Sequence, residues 1–134
     1  SRSKYNGNLV SIYQTRKVFE EHHAKNSIFI MASDQSPTNP DKSFWVTFLG
    51  RDTAFLHGPE YYAKKYDLPV IFVDIQRVRR GFYELELVLI TDKPRETAEG
   101  EITGQYARLL EKAIDAKPGN WLWSHRRWKL RRQP

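Results

Sequence analysis

The sequence contains no cysteine, which removes disulfide frameworks and thiolate catalysis together and fits a reducing compartment. It has no apolar run approaching the roughly 20 residues that span a bilayer, and no signal peptide with a charged start and an apolar centre. The spacings of zinc proteases, nucleophile elbows and phosphate loops are all missing. Four histidines are present, and none is followed by an acid five positions on, so these residues spell no catalytic base with its orienting carboxylate.

What is present has the length of one domain, enough to bury a core without covalent staples. The net charge of +6 is uneven: Arg126, Arg127, Lys129, Arg131 and Arg132 crowd the end with no acid among them, leaving the rest nearly neutral. Such a tail suits phosphate groups, an anionic membrane face or an acidic protein, and it also suits a solvated chain end.

The chain is organised around residues 28–73. An apolar run at 27–32 has the pattern of a strand covered on both faces. It ends in Asp34 and Gln35, and the loop 36–43 follows with two prolines and five further turn formers. Residues 44–48 are aromatic and strand-forming, and a turn follows at Gly50-Arg51. Gly58-Pro59 opens a helix through 66, because proline at the first helical position sacrifices no hydrogen bond. Residues 68–74 and 83–91 read as strands joined by a basic turn at 77–81, which predicts an antiparallel hairpin. Helices are predicted from Leu9 to about Lys25, and from Glu101 to Ala116 with Ile102, Tyr106, Leu109, Leu110, Ala113 and Ile114 on one face. The expected class is α/β, a mixed sheet flanked by helices in a single domain spanning 1–134, ending in a basic aromatic tail at 118–134.

Asp34 and Gln35 stand where a buried strand meets a loop, the place where open α/β sheets hold ligands. An acid there can orient a sugar hydroxyl or hold an arginine against phosphate, and it can equally cap its own turn. Arg51 could pair with an anionic ligand, and Gly58 with the helix start beside His57 offers backbone amides to an anion. In the tail, Trp121, Trp123 and Trp128 alternate with Arg126, Arg127 and Lys129. Indole and arginine together suit stacking on bases or a membrane interface, and tryptophans can also pin a terminal segment to the core.

Residues 120–129, N-W-L-W-S-H-R-R-W-K, closely resemble the closing signature of bacterial lipid A biosynthesis acyltransferases. A-S-D-Q at 32–35, F-L-G-R-D-T-A at 48–54 with Gly58-Pro59, L-P-V-I-F-V at 68–73 and I-T-G-Q-Y-A-R-L-L-E at 102–111 agree in order and spacing. The resemblance implies the C-terminal half of a glycerolphosphate acyltransferase-like fold. It implies transfer of a fatty acyl chain from acyl carrier protein to a hydroxyl of a lipid A precursor, at the cytoplasmic face of the inner membrane. It implies no metal and no bound cofactor. The family's catalytic H-x4-[DE] motif is not among these residues, so the chain is expected to be a truncated, inactive part of a longer enzyme. Arg2 in R-S-K-Y-N resembles the arginine of a second family motif, with Asn6 where glycine is usual. Asp34 matches an acidic position that helps bind the acceptor, and Gln35, Arg51, His57 and Gly58 would line the same cleft. Trp123, Arg126, Arg127, Trp128 and Lys129 would dock on the anionic membrane surface or on the donor protein. Two rivals use the same residues: a non-catalytic interaction domain, and a nucleic-acid-binding module built on the tail. The first reading expects no nucleic-acid partner.

Overall fold

The structure, a computed structural model, describes residues 7–132, so Arg2 lies outside the described residues. These residues fall into two compact units, one ending at Ile30 and the other beginning at Met31.

In the first unit a 3-10 turn, Ile12–Gln14, leads into helix α1, Thr15–His22. Ser11 caps the turn by accepting the Tyr13 N–H. The helix is shorter than its amphipathic pattern predicts at both ends. Phe19 on its buried face stacks on Phe29 with ring centroids 4.0 Å apart. Residues 27–32 form no strand, contrary to the reading of their apolar run, and Ile28 and Ile30 are 90% and 92% exposed. An apolar run becomes a strand only where a partner supplies its ladder hydrogen bonds, and no described segment pairs with this one.

The second unit contains strands β1, Ser43–Phe48, and β2, Arg51–Leu56; helix α2, Gly58–Tyr66; strands β3, Val70–Arg79, and β4, Phe82–Thr91; and helix α3, Glu101–Ala116. The α/β class expected from the sequence is the class observed. Its strands form two antiparallel pairs, β1 with β2 and β3 with β4.

The β1–β2 pair turns through Leu49 and Gly50, whose φ angles of 49° and 72° match the primed turns that follow strand twist. The turn therefore lies one residue earlier than the sequence predicts, and Arg51 already belongs to β2. The Leu49 N–H donates to Glu111 on α3, which fastens the turn to the helix. Helix α3 has the predicted bounds. Its apolar stripe packs Ala107, Leu110 and Ile114 against Phe48, Phe55 and Phe72, one from each of β1, β2 and β3. Phe48 and Phe55 meet edge to face at 5.3 Å, a geometry that ring quadrupoles favour.

Helix α3 is held at its start by α2. Glu60, 2% exposed, accepts the Gly100 N–H at 2.7 Å, the Thr103 N–H at 3.0 Å and the Thr103 hydroxyl at 2.7 Å. A carboxylate at this point satisfies N–H groups that the first helical turn leaves without internal partners. Lys64 Nζ, 3.2 Å from Glu60, balances the charge and also donates to the Thr97 and Ala98 carbonyls.

Candidate functional site

The loop after Met31 is seated by buried Ser33 and Pro37, leaving Asp34 half-buried and Gln35 exposed between them. Across this loop runs the segment that follows α3. A 3-10 turn at Pro118–Asn120 starts it, and the Trp123 indole N–H donates to the Pro118 carbonyl at 2.7 Å. The Ser36 N–H then donates to His125 Nε2 at 3.0 Å, joining two segments 89 residues apart. Donation from an amide requires His125 Nε2 to be unprotonated.

Two residues further on, Arg127 turns inward and is only 2% exposed. Its guanidinium lies 4.4 Å from the Phe55 ring centroid and 5.8 Å from that of Phe48, so aromatic faces replace part of the lost hydration. None of its three nitrogens has a hydrogen-bond partner among the described residues. Burial pushes the guanidinium down to about 10, while Tyr106 and Asp34 pull it back up. Burial also raises the Tyr106 phenol well above its ordinary value, with Asp34 raising it further and Arg127 opposing. Asp34, Tyr106 and Arg127 thus form one electrostatic group around the acidic loop, with no hydrogen bond or ion pair between Asp34 and Arg127. The next residue, Trp128, donates its indole N–H to the Thr53 hydroxyl at 2.9 Å, and the Arg51 guanidinium lies 5.0 Å above its ring.

A second cluster surrounds His57, which precedes α2. Its ring lies 5.2 Å from Phe44 and 5.4 Å from Tyr61, and it helps line an open groove of about 430 Å³ with Glu60, Lys64, Lys65 and Glu99. Gly58 begins α2, and a Cβ built there would stand 3.7 Å from the Met31 side chain. No hydrogen bond or ion pair among the described residues joins His57 to Asp34.

The sequence-predicted residues therefore separate into two groups. Asp34, Arg51, Arg127 and Trp128 belong to the loop and tail cluster, His57 lines the groove, and Gly58 lies at the start of α2 near Met31. Trp123, Arg126 and Lys129 are exposed. Arg127 departs from expectation: a guanidinium sealed among phenylalanines cannot touch a membrane or a partner, so any docking by the tail falls to its exposed neighbours. Sequence reasoning missed Tyr106 beside the acidic loop, His125 as a latch and Glu60 as an internal cap. The signal for Glu60 was available, since an acid directly after Pro59 stands in a first helical turn.

The fold and these clusters define an α/β chain whose acidic loop is closed by its own basic aromatic tail. The sequence model of the family described as bacterial lipid A biosynthesis acyltransferase matches residues 1–130. The chain belongs to that family. No curated protein and no solved structure matches it.

Proposed function

We propose that this chain is the acceptor-side part of an enzyme that transfers a fatty acyl group from acyl carrier protein to a hydroxyl of a phosphorylated glucosamine lipid, with Asp34 at the acceptor site. The observation that carries this reading is the Ser36–His125 bond, which seats the A-S-D-Q stretch on the closing signature that carries the strongest family resemblance. Beside that bond, a buried cation faces an acid that is only half-buried and so can be reached from outside. Asp34 orients the acceptor hydroxyl by accepting its hydrogen bond, and Arg51 on the neighbouring strand meets the acceptor's phosphate with a planar fork. The hydroxyl oxygen forms the new bond to the acyl carbonyl carbon, and the bond from that carbon to the donor's sulfur breaks. The hydroxyl proton passes to a base that these residues do not supply. Gln35, exposed beside Asp34, extends this surface, and exposed Trp123, Arg126 and Lys129 are available to acyl carrier protein, an acidic partner.

The arrangement of the tail speaks against the nucleic-acid reading. Trp128 is engaged with Thr53 and Arg51, and Trp121 packs on Phe48 at 5.9 Å, which leaves Trp123 as the one exposed indole of the tail's three rather than a row of stacking faces.

The test is acyl transfer from loaded acyl carrier protein to a lipid A precursor, run with the longer enzyme carrying an H-x4-[DE] motif and with this chain alone. The expected result is transfer by the former and none by the latter. Transfer by this chain alone would overturn the division of labour, and failure of the longer enzyme across several acyl lengths would favour an interaction domain.

A further inference from the structure

Two opposite charges share the loop and tail cluster, and neither has a partner there. The Asp34 carboxylate accepts no hydrogen bond and forms no ion pair among the described residues, so it does not cap its own turn. The Arg127 guanidinium is 2% exposed, and its three nitrogens find no acceptor among them either. A buried cation in that state is costly. The latch brings the two together, since Asp34 stands two residues before Ser36 and Arg127 two residues after His125, and the charge of Asp34 acts on the guanidinium. Tyr106, the other group that acts on it, is fixed edge to face on Phe55 at 6.1 Å and on Phe72 at 5.5 Å. Burial keeps its phenol neutral, so it offers the guanidinium no negative charge.

The two charged groups differ in freedom. Arg127 is clamped: the Phe55 and Phe48 rings flank it, Trp128 beside it donates to Thr53, and His125 accepts from Ser36. Asp34 is half-buried in a bend that makes no backbone hydrogen bond of its own, between the buried Ser33 and Pro37. The member able to move is the acid.

We propose that Arg127 is a positioning residue for Asp34: when the acceptor hydroxyl binds, the Asp34 carboxylate turns one oxygen onto the guanidinium and keeps the other for the hydroxyl, so the ion pair and the acceptor contact form together. A carboxylate has acceptor sites enough for both. A bound acceptor excludes water from the loop, and the attraction between the two charges rises as the local dielectric falls. Their separation in the free chain is that of a contact which tightens only in the substrate complex. The inference rests on the reading of Asp34 as an acceptor-site residue and adds what fixes that acid in place.

The experiment is a double-mutant cycle on steady-state acyl transfer by the longer enzyme, with Arg127→Met, Asp34→Asn and the two combined, each shown to be folded by its melting curve. Arg127→Met is expected to lower kcat/KM for the lipid A precursor about 10-fold and to leave the KM for loaded acyl carrier protein unchanged. In the Asp34→Asn background the same change is expected to cost less than about 2-fold, because the pair it would break is already gone. Should Arg127→Met melt below the assay temperature, Arg127→Lys completes the cycle, with a smaller loss that likewise vanishes beside Asp34→Asn. Additive losses, full transfer by folded Arg127→Met, or a rise in the donor KM that matches the loss for the acceptor would overturn the proposal and leave the acyltransferase reading standing. Absence of transfer by the unsubstituted longer enzyme would overturn both.

Discussion

The backbone N–H of Ser36 points at Nε2 of His125, 3.0 Å away, and this hydrogen bond ties the Asp34 loop to the tail. It is a polar contact replaceable by water, so its loss frees the loop without unfolding the core. His125→Phe is expected to speed hydrogen exchange at the Ser36 amide about 5–10-fold, the factor for one net hydrogen bond of about 1 kcal/mol. Exchange measured by NMR should leave the α3 amides unchanged; equal acceleration throughout α3 would mean that the latch supports the whole fold.

Arg127 combines full burial with nitrogens that make no hydrogen bonds, so its charge gives the fold little that an apolar side chain would not. Arg127→Met removes a desolvated cation while keeping much of the side chain's volume, and the melting free energy is expected to change by less than about 1 kcal/mol either way. The same substitution leaves Asp34 without its opposing charge, and in the longer enzyme it is expected to reduce transfer at least about 10-fold, with Arg127→Lys recovering part. A destabilisation above about 3 kcal/mol would show that the guanidinium holds the core.

Glu60 is the acid whose titration reaches the fold. Burial pushes its carboxyl up, but hydrogen bonds from the Thr103 hydroxyl and amide, the Gly100 amide and Lys64 outweigh this and hold it below its ordinary 4.5. A carboxyl lowered on folding stabilises the native state above its unfolded value and loses that contribution as pH falls through the folded value. Glu60→Gln is therefore expected to cost about 2–3 kcal/mol at pH 7. The gap between variant and parent melting curves should narrow progressively as pH falls below the ordinary 4.5. A gap that persists at low pH would assign the effect to shape.

The Leu49-Gly50 turn isolates a backbone effect. A Cβ at Gly50 would meet nothing within 4 Å, so Gly50→Ala is opposed only by the φ of 72° and is expected to cost about 1 kcal/mol. Gly50→Asn should cost less, since asparagine tolerates left-handed backbone. Equal losses in thermal melts would point to steric contact.

Periodicity marked α3 because its stripe is long and its packing follows 3.6-residue spacing. It marked the β3–β4 pair because two strand-forming runs flank a basic turn. It failed at residues 27–32, where apolar content says that a segment can be covered but not that a strand lies beside it. It also missed β2, whose first residues, Arg51 and Asp52, carry turn-like polarity while the buried Thr53, Ala54 and Phe55 follow. Within the proposed site, residue type was enough to single out Asp34 and Arg51 as candidates. The burial of Arg127 was not, because the rings that accept it come from Phe48 and Phe55 and nothing in S-H-R-R-W-K distinguishes one arginine from the next.

The most direct measurement is acyl transfer to a lipid A precursor by the longer enzyme with Asp34→Asn, a change that keeps shape and removes charge. An unchanged melting temperature with transfer reduced at least about 100-fold is the result predicted for an acid that positions the acceptor hydroxyl. Full transfer by the folded Asp34→Asn enzyme would contradict the acceptor-site assignment and leave Asp34 as a capping residue of its own loop.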